Sequence, residues 1–485
     1  MSILEMVNKP KKIVTDVLVS TFVKAIVRVK GVILIPLISL TLGVDSYGAY
    51  VQVVSFSMFL GAISQLGLNM SLVKFAQKKD TNIGILYTST TSLAFINGVI
   101  GAMIVILMSK RISVLLLNSP SYTKIFQIGS ILIPVRILNK SLRNYFRSQQ
   151  KVKTFSILQA IRSYLTIGSI LFTTLVINSN LDVVMIGVVI VEILYVTLLQ
   201  LFVFSRIGLK LPSYSVLRTC LAYSIPLVIS ILSDNLSERA DRFIVGYFIG
   251  SSAVGAYTIA YRLAKVILIY VIPVRETYFP ELSKLLEKNK IEDCKSYLRN
   301  GIRYFLMLSI PSVFGFRLVS ESAISIISNQ SAVNQASPIL PVVAVGMILL
   351  GLNQLYGVVL VAEGLTTRLS SVRGSAAIIN IILNLIIVPE YGIIGAALST
   401  VLTYVISLGG VYWLSNKIVP SGFLTLNSLR ISIASGVMFV FGVSLGIKNI
   451  FLLIPISAVV YSFSIVLLGE LSISDIRSSL NGAFG

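Results

Sequence analysis

The sequence predicts an all-α integral membrane protein of about 14 transmembrane helices, and three observations lead there. Of its 485 residues 55% are hydrophobic and only 12% charged, and the mean hydropathy is +0.90, well outside the range of water-soluble domains. Apolar runs of about 20 residues, the length that crosses a bilayer, recur along the whole chain. The basic residues behind the formal charge of +21 stand between those runs instead of in one soluble patch, which is a pattern of membrane topology and not of nucleic-acid binding.

Taken in order, the spans fall near 13–42, 48–72, 84–109, 125–148, 153–177, 183–205, 219–246, 252–275, 300–320, 337–361, 371–389, 391–414, 428–447 and 449–469. Pro311, Pro338 and Pro341 soften the boundaries near them, because proline kinks a helix or delays its start. The opening residues, MSILEMVNKPKK, lack the apolar core and small-residue cleavage site of a secretory signal, so the run after Lys12 is expected to persist as a span. Alternate connections collect Lys9, Lys11 and Lys12, then Lys74, Lys78 and Lys79, then Arg143, Arg147, Lys151 and Lys153. The positive-inside rule therefore predicts a multi-pass protein of the cell (inner, or cytoplasmic) membrane with both termini cytoplasmic. The segment ETYFPELSKLLEKNKIEDCKSYLRN, residues 276–300, reads as an amphipathic cytoplasmic helix at the interface.

An internal repeat organises these spans. LGVDSYGAY at 42–50 shares its Gly-x4-Gly-Ala-Tyr skeleton with residues 250–257, at an offset of 207 residues: Gly43, Gly48, Ala49 and Tyr50 against Gly250, Gly255, Ala256 and Tyr257. Both copies fall in outer connections, six spans apart, which implies two six-helix lobes of the same orientation, at 1–210 and 211–417, followed by two further spans in 418–485. Parallel repeats are a transporter architecture with the substrate site at the repeat interface.

The chain has no histidine, which removes histidine-based acid–base catalysis and histidine-ligated metals together. Cys220 and Cys294 form no CxxC motif and read as ordinary thiols. No cofactor and no enzymatic activity are expected. What stands out is charge inside the spans, where arginine or lysine costs about 2.5–3.5 kcal/mol at a helix centre unless it pairs, snorkels or lines water. Arg136, Lys140, Arg143 and Arg147 fall at i, i+4, i+7 and i+11, one face of a helix. Topology alone explains Arg143 and Arg147, but Arg136 and Lys140 lie deeper. Lys24 and Arg28 add a pair at i, i+4 in the first span, and Arg262 and Lys265 a pair at i, i+3 in the second half. These six, Lys24, Arg28, Arg136, Lys140, Arg262 and Lys265, are the candidate lining of a cationic cavity for a bulky anion, with arginine's planar fork suited to phosphate oxygens.

Acids are fewer. Glu192 lies at a depth similar to Arg162, as an interhelical ion pair or as a protonatable coupling site. Asp234, Glu238, Arg239, Asp241 and Arg242, within one stretch of the seventh span, read as a structural or gating ion-pair network.

At this point the chain resembles a known family. ADRFIVGYFIGSSAVGAYTIAYRL, YFPELSK, NIILNLIIVPEYGIIGAALSTVLTY at 380–404 and GELSISDIR at 469–477 are similar to the polysaccharide biosynthesis proteins, the Wzx-type O-antigen and polysaccharide flippases related to the lipid II flippase and to multidrug and toxin extrusion transporters. Asp241, Arg242, Gly250, Gly255 and Tyr257 carry one signature, and Asn384, Pro389, Gly392 and Gly395 another. The resemblance implies two lobes forming a V and alternating access. It also implies a central cavity for a polyprenyl-(pyro)phosphate-linked glycan, with transport driven by a proton or sodium gradient or passive. Glycosyltransferases and a polysaccharide polymerase would be its partners alongside the lipid bilayer, and no nucleic acid. Two rivals are a multidrug antiporter of the same superfamily, which takes cations through buried acids, and an integral-membrane glycosyltransferase or polymerase, which would need an acidic or large outer loop.

Overall fold

The structure is a computed structural model that describes residues 3–78, 81–177, 180–422, 426–447 and 449–470; side chains before Gly31 and a few further along, Asp234 among them, lie outside the description. Its helices run α1 (Ile3–Ser64), α2 (Leu68–Phe75), α3 (Ile83–Leu117), α4 (Thr123–Ser130), α5 (Leu132–Ser148), α6 (Val152–Leu171), α7 (Leu181–Ile207), α8 (Tyr214–Phe248), α9 (Ser251–Ala264), α10 (Val271–Glu287), α11 (Ile291–Ile327), α12 (Gln330–Ala362), α13 (Thr366–Asn416), α14 (Leu426–Ser444) and α15 (Ile450–Leu467). Among the described residues 11 helices are long and apolar enough to cross a membrane, so the chain is an all-α, multi-spanning membrane protein.

Two helices are too long to be single spans. The 62 residues of α1 would reach about 93 Å at 1.5 Å per residue, about three times the ~30 Å hydrocarbon core. The backbone leaves the helix at Gly43 (φ 86°, ψ 163°), a conformation closed to side chains, and again in the 51 residues of α13 at Gly392 (φ 59°, ψ −141°). Starts are fixed by asparagine: the side chains of Asn82, Asn180 and Asn329 accept from the backbone N–H of Ile85, Val183 and Ala332, capping α3, α7 and α12.

Three sequence expectations change. α11 continues through Pro311, and α12 starts at Gln330 and continues through Pro338 and Pro341, because a helix opened in hydrocarbon would leave backbone groups with no water to bind. The fourth span keeps its place: α4 and α5 meet at Ile131, whose backbone stays helical (φ −59°, ψ −26°), and residues 120–148 form one apolar span, with the Ser130 hydroxyl donating to the Gln127 carbonyl at the junction. The eighth is interrupted by a 3-10 stretch, Lys265–Ile269, between α9 and α10. The 276–300 segment is divided by a turn in which Asn289 takes φ 53°; Glu292 and Asp293 occupy the first turn of α11, where negative charge suits the helix dipole.

The chain forms two compact units, residues 1–255 and 256–485. In the first, α8 packs on α1, α2 and α3, and α5 is surrounded by α1, α2, α3, α6 and α7. In the second, α12 is central, packing on α10, α11 and α13, while α14 and α15 cover α11.

Within the first unit the two glycine motifs meet. A Cβ on Gly48 would lie 2.7 Å from the Gly255 nitrogen and press on the Ser251 carbonyl, and one on Gly255 would lie 3.2 Å from the Gly48 nitrogen and press on the Val44 carbonyl. The contact is reciprocal, since Val44 and Ser251 occupy equivalent positions of the repeat and so do Gly43 and Gly250, both with positive φ. Gly48→Ala and Gly255→Ala are each expected to lower stability by about 1–3 kcal/mol, and the double variant by less than the sum, because one crossing opens only once. Thermal unfolding in detergent tests this, and unchanged midpoints for both single variants would refute it.

Candidate functional site

The site is built on α5. Its residues Leu132 to Val135, Ile137, Leu142, Tyr145 and Phe146 are buried against the neighbouring helices. The remaining face carries the four cations: Arg136 and Lys140 are half-buried, Arg143 and Arg147 exposed. The i, i+4, i+7, i+11 pattern therefore becomes a basic stripe on the one side of α5 that the packing of its unit leaves open.

Arg136 is anchored at its inner end, where Nη1 donates to the Val54 carbonyl of α1 at 2.8 Å. Its Nε is buried without a hydrogen-bond partner among the described residues. Glu192 of α7, Arg162 of α6 and Arg239 of α8 all lie within electrostatic reach of it. Lys140 feels Arg143 and Arg239, and Arg143 feels Arg162 and Arg147. One positive field thus runs over α5, α6 and α8.

Glu192 is the deeply buried acid in that field, its side chain 4% exposed. Its Oε1 lies 3.5 Å from Arg162 Nε, while Oε2 has no hydrogen-bond partner among the described residues. Ser57, one helical turn beyond Val53, donates to the carbonyls of Val53 (2.8 Å) and Gly129 (2.9 Å), tying α1 to the α4–α5 junction from which the stripe starts.

In α8 the structure pairs Arg239 Nη1 with Glu238 Oε2 at 3.4 Å and lets Arg239 donate to both oxygens of Asn235. Arg242 donates to the Glu238 carbonyl, and Asp241 is buried. The side chain of Asp234, like those of Lys24 and Arg28, lies outside the described residues. Arg262, half-buried, and Lys265, exposed with its Nζ 5.9 Å from the Tyr261 ring, belong to the second unit. Cys220 and Cys294 are buried free thiols. Among the described residues no group of three or more His, Cys, Asp or Glu is placed to hold a metal ion.

Two features escape the sequence reading. Arg239 lies within electrostatic reach of Arg136 and Lys140 of the α5 stripe, although its own neighbours suggest only a local ion pair; nothing in one sequence reports that proximity. The second unit contains a polar seam along α13: Thr403 accepts from Asn380 (3.2 Å), Ser407 accepts from Asn353 (2.9 Å), and Arg373 donates to Asn353 Oδ1 (3.2 Å). Tyr257 meets Thr400 and Tyr261 meets Tyr404, each at 3.3 Å. The helical spacing of Thr400, Thr403, Tyr404 and Ser407 in an apolar run is the signal that could have found it.

An all-α membrane protein with a basic stripe along a spanning helix is the class defined so far. Residues 40–331 match the family described as polysaccharide biosynthesis protein, and the chain belongs to that family. It is 29% identical over 253 residues to the "Probable low-salt glycan biosynthesis flippase Agl15" of Haloferax volcanii, a match covering 50% of this chain and 52% of that one. The chain thus spans about half the length of this relative. Its fold is similar to that of the lipid II flippase MurJ in an inward closed conformation, with TM-score 0.78 and 16% identity over 92% of this chain and 98% of the other. An inward-facing multidrug resistance transporter of the MATE family gives TM-score 0.68 and 13% identity over 81% and 94%. At such identities the likeness concerns the fold alone.

Proposed function

We propose that the protein is a flippase that carries a polyprenyl-(pyro)phosphate-linked oligosaccharide across the membrane by alternating access, for assembly of a surface glycan. The observation that carries this reading is the stripe of Arg136, Lys140, Arg143 and Arg147 on the open face of α5. Arg136 and Lys140 would each cost about 2.5–3.5 kcal/mol if hydrocarbon covered them at core depth, and Arg143 and Arg147 continue their row to the end of the helix, a face suited to water and an anionic cargo. A phosphate-linked lipid supplies the anion and travels with its chain in the bilayer. A cationic drug, the cargo of the rival antiporter reading, would be repelled.

The finer architecture belongs to the same proposal. Counting α1 and α13 as two spans each and adding α8 to the 11 apolar helices gives fourteen. The reciprocal contact of the glycine motifs supports six-helix repeats in parallel, at 1–210 and 211–417, with 418–485 supplying two more spans. Both termini and the 276–300 segment are assigned to the cytoplasm. Lys24, Arg28, Arg262 and Lys265 are assigned to the cargo surface on their sequence positions. Asp234, Glu238, Asp241 and Arg242 are assigned to structural or gating pairs.

Cells depleted of the protein should accumulate lipid-linked oligosaccharide on the cytoplasmic leaflet, read by accessibility to a membrane-impermeant glycan-modifying reagent before and after lysis. A cysteine placed at exposed Asp45, with Cys220 and Cys294 replaced, should label from outside. An unchanged distribution of the glycolipid between leaflets would overturn the function, and labelling only from inside would overturn the topology.

A further inference from the structure

The sequence repeat puts α8 in the second six-helix half, whereas its packing is on α1, α2 and α3 of the first. Along its length α8 is therefore a seam between the two repeats, and both ends of that seam are closed. At one end Gln52 of α1, fully buried, donates to the Leu116 carbonyl at 3.0 Å and to the Arg242 carbonyl at 3.1 Å. Gly246 of α8 comes so near that a Cβ there would lie 2.7 Å from the same Gln52 amide, and the Gly48–Gly255 crossing seals this end as well.

The other end is held differently. The Ser71 hydroxyl of α2 donates to the Cys220 carbonyl at 2.9 Å and also reaches the Cys220 thiol. Gly67, with φ 69°, starts α2 so close to α8 that a Cβ would lie 2.8 Å from the Ser224 carbonyl. One turn on, Lys74 sets its Nζ 3.7 Å from the centre of the Tyr223 ring, and Phe75 meets that ring edge-on at 5.8 Å. Cys220 and Gly246 stand about 39 Å apart along α8 by helical rise, more than the ~30 Å hydrocarbon core, so the two closures lie at opposite faces of the bilayer. The Gln52 end joins backbone to backbone around glycine. The Lys74 end, cytoplasmic in the topology assigned above, depends on one hydroxyl bond and on an exposed ammonium over an aromatic face, contacts that release at lower cost.

We propose that the contact of α2 with α8 is a releasable latch on the cytoplasmic side of the transport path. Lys74 on Tyr223 and Ser71 on Cys220 hold the cytoplasmic ends of the two repeats together, and they part while the Gln52 end stays sealed. The inference rests on the alternating-access reading, but it concerns which contact opens and not what is carried.

Cys220 is a built-in reporter, being 1% exposed within the seam. The test is the rate of maleimide labelling of Cys220 in the full chain carrying Cys294→Ser, reconstituted in liposomes. A second reporter is Val44→Cys at the Gly48–Gly255 crossing, where Val44 is also 1% exposed, in a chain with both native cysteines replaced. Lys74→Gln with Ser71→Ala, and separately Tyr223→Leu, should speed Cys220 labelling on the order of three- to tenfold, the scale of one such contact, and leave Val44→Cys unchanged. Lys74→Arg and Tyr223→Phe keep the cation and the ring and should label as the wild type does. Gln52→Ala should act at the opposite end, faster at Val44→Cys and no faster at Cys220. A fold that is merely loosened exposes both reporters together. Unchanged Cys220 labelling in Lys74→Gln with Ser71→Ala, faster labelling at both ends, or fast Cys220 labelling in Lys74→Arg and Tyr223→Phe would each overturn the latch. The expected labelling pattern in a protein whose depletion leaves the glycolipid distribution unchanged would keep the latch and remove the cargo.

Discussion

Arg136→Ala is expected to reduce export of the lipid-linked glycan by about ten- to a hundredfold at unchanged protein abundance. The scale follows from the 1.5–3 kcal/mol of a hydrogen bond to a charged group, converted at 1.36 kcal/mol per factor of ten. Arg136 is the deepest cation of the stripe, about 17 Å along the helix from Arg147. It spends one donor on the Val54 carbonyl and keeps Nε unpartnered. A guanidinium with one arm fixed and its Nε unpaired is preorganised for an oxyanion, so the fork should matter beyond the charge. Arg136→Lys should therefore fall between alanine and wild type, and Arg143→Gln, at an exposed position, should cost less. The measurement is glycolipid content on each leaflet together with abundance and monodispersity of each variant. Wild-type export by both Arg136→Ala and Lys140→Ala would remove the stripe from the transport path.

Much of this arrangement is legible in the sequence because a bilayer leaves few solutions. A run of about 20 apolar residues in hydrocarbon must close its own backbone hydrogen bonds, so length and hydropathy place the helices. The Gly-x4-Gly repeat is legible because Gly43 and Gly250 hold positive φ and Gly48 and Gly255 meet backbone to backbone, demands that fix residue identity. The basic stripe is legible because 3.6-residue periodicity places Arg136 and Lys140 on one face. Contacts across helices are less so. Equal depth brings Arg162 to Glu192, but no spacing rule reports that Glu192 and Arg239 both act on Arg136. Proline misleads for a related reason: rules learned in water allow a helix to open at Pro338, whereas in hydrocarbon continuing the helix costs less.

Glu192→Gln is expected to destabilise the protein by about 3–5 kcal/mol, the cost of leaving a buried cation unpaired, and Arg162→Gln introduced with it should restore most of the loss. The pair is close but not saturated: 3.5 Å separates Oε1 from Nε, and Glu192 Oε2 forms no hydrogen bond among the described residues. Its value therefore lies in neutralising charge inside a field that already holds Arg136, more than in directional bonding. Removing the acid leaves Arg162 and Arg136 repelling each other in low dielectric, and removing Arg162 as well relieves the larger part of that repulsion. The coupling between the two substitutions should accordingly be strong and of restoring sign. A proton-carrying Glu192 predicts something different, a Glu192→Gln protein that is abundant and folded yet does not export, with no rescue by Arg162→Gln. Abundance, thermal midpoint and export of the two single variants and the double variant separate these outcomes, and a stable, inactive Glu192→Gln protein would replace the structural pair with a coupling site.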